Sequence, residues 1–548
     1  MRTWILLPTF AALCAAAGHA ATARDCVELM DGTRMRGTLL AIEDDHVSIR
    51  MRIGTSDVTS NVAIARVHAI SHDGDRFVVK ERPTYGRAKP AAEKKAPTAR
   101  RVKVPLWSEE AQKWVAGGRN FFVSPEGTPS GNGSRASPWN IESVFSGGAG
   151  VRGGDVVWVE GGTYPGCFEV SLKGQAGRPV VIRAVPGERA ILDSASHRSE
   201  YTLKLNGAHV VIWGLEICST NPEGYKGRAG GYGFFARESR MINCYVHDVA
   251  CSGFWQPAVD AEMNGNVLIH IGQDRPGGSR GSGHNMYTQN SKGVKVIKDN
   301  IIAFGFSFGI HMYTEGGTID NYDIVGNTWF GNGLASKRSG HKADCLVGGL
   351  KPAHNITLRE NMGWSNGMGR CVQLGYSSSG YKGLTLTDNY FAGRVDFNRQ
   401  WEDVAMKGNT FLGPVKGKID TTDFPENDYR GDRGRPVVFV RKNDYEPGRA
   451  NITVFNWPNV ATVPVDLPEV VPVGAEYEIR NGQDYGGEPV YTGTYKGGRV
   501  ALPMHGMGCP QPHGMTDTIT ERDQTGPQFN VFVVTSWTPG SRKGSTEE

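Results

Sequence analysis

The chain has 548 residues, 73 of them Gly, and its 60 Lys+Arg are nearly balanced by 56 Asp+Glu. Such a length predicts several domains, and the charge balance excludes a general, strongly basic nucleic-acid binder. The glycines lack the Gly-x-y period of collagen, which leaves a turn-rich β protein as the expectation.

The opening, MRTWILLPTFAALCAAAGHAATA, has one Arg, an apolar run and small residues at its end. This is the pattern of a secretory signal peptide over residues 1–23, cleaved after Ala20 or Ala23, and it predicts a secreted or periplasmic protein. The run is short for a bilayer span, and Leu13 stands where lipid attachment at Cys14 would need a small residue. No later stretch is apolar enough to cross a membrane, so no membrane span is expected. Eight Cys follow the leader, none in a CxxC pair, so a zinc site is not expected. Cys218/Cys244 and Cys345/Cys371 are each 26 residues apart, a spacing that suggests stacked buried thiols in place of bridges.

Residues 24–80 form a first small unit. CVELMDGTRMRGTLLAIEDDHVSIRM alternates apolar and polar residues around a turn at Asp31-Gly32. Its L-x-D-G-x-x-x-x-G-x-L stretch resembles the small Sm-like β-barrel at the front of some exported bacterial proteins. Residues 81–117 are a basic linker rich in Pro, Ala and Lys. The main body, 118–430, opens with a strand, a Gly-rich loop, a short helix that can cover an open solenoid end, and another strand. This opening resembles secreted β-helix polysaccharide-active proteins, the alginate lyase and chondroitinase B group among them. The resemblance implies a right-handed parallel β-helix of the pectate-lyase kind.

Short strands then end repeatedly in Asn: Asn243, Asn266, Asn300, Asn327, Asn361, Asn389 and Asn409, separated by 23, 34, 27, 34, 28 and 20 residues. Such periods without helical patterning indicate a β-solenoid. Asn tolerates tight turns, and stacked amides bond one another along a column, so these residues are read as structural. Residues 431–548 change to hairpins and resemble the C-terminal β-sandwich appended to many carbohydrate-active enzymes. The whole is therefore expected to be all-β: barrel, β-helix, sandwich.

Two of the 34-residue gaps carry insertions, GQDRPGGSRGSG before His284 and LASKRSGHKADC, and loops on a rigid scaffold are where binding groups collect. Between them lie GHNMYTQN (283–290) and GIHMYTEG (309–316). Aligned at 26 residues, Asn285 stacks with His311, Tyr287 with Tyr313, and Gln289 with Glu315. Alternation puts these six on one face and the Met/Thr set on the other. The Met/Thr face is cheaper to bury, so the polar face is expected outside. One coil earlier the position falls near Trp255, an aromatic platform for a sugar ring. Arg275, Arg280, Lys337, Arg338, His341 and Lys342 in the insertions suggest an anionic polysaccharide such as a uronate. His247 and His270 each follow an Asn by four residues and are read as stacked structural residues outside this site.

A uronate lyase or epimerase needs a base for the C5 proton, a neutralised carboxylate and, for elimination, an acid for the leaving oxygen. His311 is the candidate base, Tyr313 or Tyr287 the acid, and Arg280 with Arg275 or Lys342 the carboxylate partner. His284 sits beside them on the opposite parity, or in the turn. The resembled lyase group implies a Lys and an Arg in N-K-S and R-H-G contexts with bound calcium. Neither motif stands at the matching coils, so no cofactor is expected, and calcium remains the one metal that the resemblance implies. Asp260 and Glu262 are its only candidate ligands singled out by type. Two other readings stay open: a glycoside hydrolase using Glu315 with Glu262 or Asp260, and a non-catalytic glycan-binding surface protein.

Overall fold

The computed structural model describes residues 25–29, 34–42, 46–53, 56–63, 67–72 and 75–78, and then 104–538 with breaks at 196–198, 222–228, 273–282, 337–342, 366–368, 516–517 and 521–523. The expected leader and most of the expected linker lie outside the described residues.

In the first unit, six strands from Asp25–Leu29 to Asp75–Val78 form one antiparallel sheet. Alternation turns Val47 and Ile49 to the same side, where they join Val27, Leu39, Val62, Val67 and Ile70 in a small core. The buried Asp25 carboxylate accepts from the Leu39 amide at 2.8 Å, which satisfies it locally.

The second unit is built on three long parallel sheets. Sheet I has ten strands from Phe168–Val170 to Val415–Gly417, sheet II eleven from Asn120–Val123 to Trp401–Lys407, and sheet III ten from Gly162–Pro165 to Thr410–Phe411. Apart from Asn120–Val123 and Val156–Val159 at the start of sheet II, neighbours within each sheet lie three strands apart in the chain, so each coil contributes one strand to every sheet. That is a parallel β-helix. Its interior is filled by alternate residues of all three sheets, among them Ile182, Ile212, Met263, Met286, Met312, Trp329, Leu358 and Phe391. The helix Ile141–Phe145 adds Ile141, Val144 and Phe145 to that core at the early end.

An unbroken amide ladder runs inside it. The side-chain Nδ2 of Asn266 donates to Oδ1 of Asn300 at 2.9 Å, and the relation repeats through Asn327, Asn361, Asn389, Asn409 and Asn427 at 2.7–3.0 Å. Each Oδ1 from Asn300 onward also accepts a backbone amide from the coil before. Every buried amide is therefore matched, which is what its burial demands. One expected member is misplaced. Asn243 stops short of the column, with φ +51°, and its amide meets Asn443 and Glu446 instead. The Cys244 amide takes the ladder position against Asn266. Asn427 extends the ladder at the other end.

The seven described cysteines are free thiols. Their stacking differs from the 26-residue alignment, because Cys345 pairs with Val372, and Glu216 opposite Tyr245 sets Cys218 beside His247.

After the last coil, a five-stranded antiparallel sheet is formed by Val437–Lys442, Arg449–Phe455, Phe529–Trp537, Glu476–Asn481 and Tyr491–Thr494. Phe455, Phe529, Val531 and Val533 pack on Val267, Ile269, Ile301, Phe330 and Trp364, which face outward from sheet III. Burial of this outer face explains why those sheet III strands are apolar on both sides. Polar pins reinforce the seam. Arg441 bridges Asp299 (2.6 Å) and Glu360, and the Tyr445 hydroxyl donates to Glu262 at 2.7 Å.

Candidate functional site

Strand pairing on sheet I sets the true register of the candidate site. Trp255 lies opposite Tyr287, Tyr287 opposite His311, and His311 opposite Leu346. The repeat between the two matching strands is thus 24 residues, two fewer than their sequence alignment gives, so Tyr287 stacks with His311 and not with Tyr313. Met286 and Met312 point into the core, which turns Tyr287 and His311 outward.

His311 stands at the centre of an aromatic cluster. Phe308 lies parallel to its imidazole at 4.7 Å between centroids, and Tyr313 stacks at 4.9 Å. His284, in the turn before the strand Met286–Thr288, approaches to 4.0 Å, and Tyr287 meets the ring edge-on at 5.0 Å. Trp255 packs on Tyr287 at 4.5 Å, and Tyr376 on Tyr313 at 5.7 Å. The result is an aromatic strip that leaves His311 only 7% exposed. Its Nδ1 is buried with no hydrogen-bond partner among the described residues. Burial, and then the neighbouring His284, hold the His311 pKa well below 6.5, so the ring is neutral at neutral pH. Burial raises the Tyr287 phenol to about 12, helped by Tyr313. A neutral imidazole therefore touches a phenol that keeps its proton.

Other expected residues sit differently. Asn285 is buried, not outward. Its Nδ2 donates to Oδ1 of Asn332 at 3.0 Å, and Nδ2 of Asn332 donates to Asp344 at 2.8 Å, a second inner ladder at the corner before sheet I. Asn285 therefore shapes the turn and cannot meet a ligand. Gln289 is half-buried and donates to the Tyr313 carbonyl at 3.2 Å, a bond that fixes the strand end. Glu315 is exposed, with the Tyr313 hydroxyl 3.5 Å from its Oε1. Glu262 belongs to sheet II, where Arg240 and Tyr445 hold it, so it is no partner for Glu315. Asp260 is exposed at a corner, and its Oδ1 accepts from the Val294 amide. Arg275, Arg280, Lys337, Arg338, His341 and Lys342 lie outside the described residues.

Sequence reasoning missed three features. Continuing the His311 column, Leu346 lies opposite Gln373, and Gln373 opposite Asp396. Arg370 reaches Asp396 at 3.4 Å and Gln373 more closely, and Arg394 reaches Asp396 at 3.1 Å. This places two guanidinium groups roughly 10–15 Å along the sheet from His311, at about 4.8 Å per coil. Carrying the correct register two and three coils onward in the sequence would have found them. The third is Lys295, fully buried beneath the strip, whose Nζ donates to the carbonyls of Gln256 (2.8 Å) and Gln289 (2.6 Å). It ties together the ends of the two strands that present Trp255 and Tyr287. Burial holds its pKa well below 10.5.

The β-helix has counterparts among solved structures. An alginate lyase from Paenibacillus sp. str. FPU-7 is 16% identical over 55% of this chain and 99% of its own, with a TM-score of 0.41. Pectate lyase Pel9A is 14% identical over 53% and 79%, at 0.37. A GH136 lacto-N-biosidase from Eubacterium ramulus is 11% identical over 58% and 69%, at 0.34. No family model and no curated protein matches the chain. The fold is a parallel β-helix. Its chemistry has to be read from its own residues. Among the described residues, no helix is long and apolar enough to cross a membrane.

Proposed function

We propose that this is an exported polysaccharide-active protein that abstracts the C5 proton of a uronate residue on the outer face of sheet I, as a lyase or an epimerase. The neutral His311 imidazole within the aromatic strip is the observation that carries the reading. A base with a low pKa keeps its lone pair available at neutral pH, and Trp255 and Tyr376 offer flat faces to sugar rings. In elimination, His311 takes the C5 proton, the C5 electron pair forms the C4–C5 double bond, and the C4–O bond breaks. The departing oxygen takes its proton from Tyr287 or Tyr313. In epimerisation, a proton returns to C5 from the other face. The carboxylate on the reacting C5 falls to Arg275, Arg280 and Lys342 of the insertions, while Arg370 and Arg394, roughly 10–15 Å further along the same sheet, can meet the carboxylate of a uronate elsewhere on the bound chain.

The test is incubation of the purified protein with a panel of anionic and neutral polysaccharides. Ultraviolet absorbance from unsaturated uronate marks the lyase, and NMR of the product marks the epimerase. New reducing ends without that absorbance would point to a hydrolase instead. His311→Ala is expected to abolish turnover, and Tyr313→Phe or Tyr287→Phe to abolish elimination according to which phenol is the acid; full activity in His311→Ala and Tyr313→Phe would reject this site. The near-complete enclosure of His311 also favours a second reading, a glycan platform without chemistry. Binding without any product in the panel would select it.

A further inference from the structure

A second polar cluster lies on the outer face of sheet III, where the C-terminal module covers it. Glu216 and Cys218 belong to one strand, Glu216–Cys218, and their spacing of two turns both the same way. His247 ends the strand Tyr245–His247 on the next coil, set beside Cys218 by the pairing of Ile217 with Val246. Oxygen, sulfur and nitrogen atoms of these three residues all lie within 4.8 Å of one another. Nε2 of His247 is 3.0 Å from Glu216 Oε1. A tetrahedral zinc-type ion with ligand bonds of about 2.0–2.3 Å spaces its donors roughly 3.3–3.8 Å apart, so closure around an ion needs only small movements.

The surroundings fit as well. The other imidazole nitrogen, Nδ1, bonds Asp248 Oδ2 at 2.7 Å, and Asp248 Oδ1 accepts from the backbone amide of His513 at 2.6 Å. A carboxylate behind a histidine is the support that fixes a ligating imidazole. Tyr245 stacks on the His247 ring at 4.2 Å, and Tyr485 of the C-terminal module packs on Tyr245 at 5.2 Å. Arg189 bonds both carboxylate oxygens of Glu216, while Asp193, opposite Cys218 in the pairing, adds a negative charge. The fully buried His270 lies 3.1 Å from Cys509 and 3.9 Å from Asp248. Glu216 and Tyr245 also line a cleft of about 1580 Å³, which gives an ion a way in.

We propose that Glu216, Cys218 and His247 form a binding site for a thiophilic divalent cation of the zinc class, with Asp248 as the group that orients His247. Binding forms bonds from the metal to sulfur, nitrogen and oxygen, and releases one proton from the thiol and one from the imidazole. Two protons leave and one dication enters, so the net charge of the cluster is unchanged. Arg189 is then no obstacle, because it already balances Glu216. The ion would clasp two successive coils at the point where His513, Tyr485 and Cys509 of the C-terminal module meet them. The site escapes a search for CxxC because its donors are spaced by coil register and not by sequence.

The test uses the full chain, reduced, treated with chelator and titrated with cobalt(II) chloride. One equivalent should bind with a thiolate-to-cobalt charge-transfer band, zinc chloride should displace it, and the unfolding temperature should rise. Cys218→Ser should abolish the band, and Asp248→Asn should weaken binding at least tenfold while the band persists at saturation. Cys345→Ser, at a buried thiol on sheet I, should leave it intact. Absence of the band in the folded wild type would overturn the proposal, as would its persistence in Cys218→Ser or its loss in Cys345→Ser with the fold retained. Should Cys218→Ser fail to fold, His247→Gln takes its place: an unchanged cobalt affinity in that variant would equally overturn the proposal.

Discussion

Asp344 lets the inner wiring of the β-helix be weighed. It is fully buried at the end of the second ladder, where Oδ1 accepts from the Asn332 backbone and side chain at 3.1 and 2.8 Å. Oδ2 has no hydrogen-bond partner among the described residues. Burial raises its pKa from 3.8 to about 8, against the lowering effect of Asn332, so the folded protein holds Asp344 protonated at neutral pH. A raised folded-state pKa means that its stabilising share is full below about pH 3.8 and is lost as pH rises toward 8, because the unfolded chain releases the proton earlier. The slope is about 1.4 kcal/mol per pH unit, or roughly 3 kcal/mol between pH 5 and 7. Asp344→Asn keeps the acceptor, replaces an O–H by an N–H of similar size, and removes the titration. Urea unfolding of variant and wild type at pH 5, 6 and 7 isolates this group, since other titrations cancel in the difference. The variant is expected to gain on the wild type by about 1.4 kcal/mol per unit. A difference that stays flat across this range would refute the protonated Asp344.

The main ladder predicts that Asn327→Ala costs about 3 kcal/mol or more, because it removes the acceptor of the Asn300 backbone and side-chain amides and the donor to the Ile297 carbonyl, at about 1–3 kcal/mol for each buried group left unsatisfied; denaturant unfolding checks it. Lys295 resists protonation in the folded state, so stability rises with pH below 10.5, and Lys295→Met should compare most favourably with wild type at low pH. Urea midpoints of the two proteins at pH 7 and 9 should converge or cross accordingly, and a constant gap would mean that the buried amine stays charged. Since His311 stays neutral well below pH 6.5, the acidic limb of kcat/KM on a responsive polysaccharide should fall below that value, as a pH–rate profile would show.

The coil repeat was legible because a buried amide needs its partner one coil away, so Asn recurs wherever the ladder does. Asn243 deceived because it has the same residue type at a turn one position early. The site register was harder. Matching GHNMYTQN to GIHMYTEG by residue identity puts Tyr287 on Tyr313, yet hydrogen bonding pairs Tyr287 with His311. Identity rewarded a resemblance that the backbone does not use. Asn285 was drawn outward by the same alignment, while Asn332, its actual partner, and Asp344, which holds Asn332, lie 47 and 59 residues further on, beyond the reach of local alternation. His247 was absorbed into the stacking pattern, although Glu216 and Cys218 on the preceding coil carry the complementary chemistry.

The ladder joins residues 34, 27, 34, 28, 20 and 18 positions apart with nearly the same amide contact. Distance along the axis is thereby uncoupled from distance along the chain. A coil can lengthen or shorten at its corners without disturbing those above and below, provided that it delivers its one amide on time. Such a molecule resembles a spiral-bound notebook, whose pages may be of any width so long as each is punched at the same hole. The two longest pages lie on either side of His311, which is where variation between descendants of this chain would be free to rewrite the loops while the binding itself stays whole.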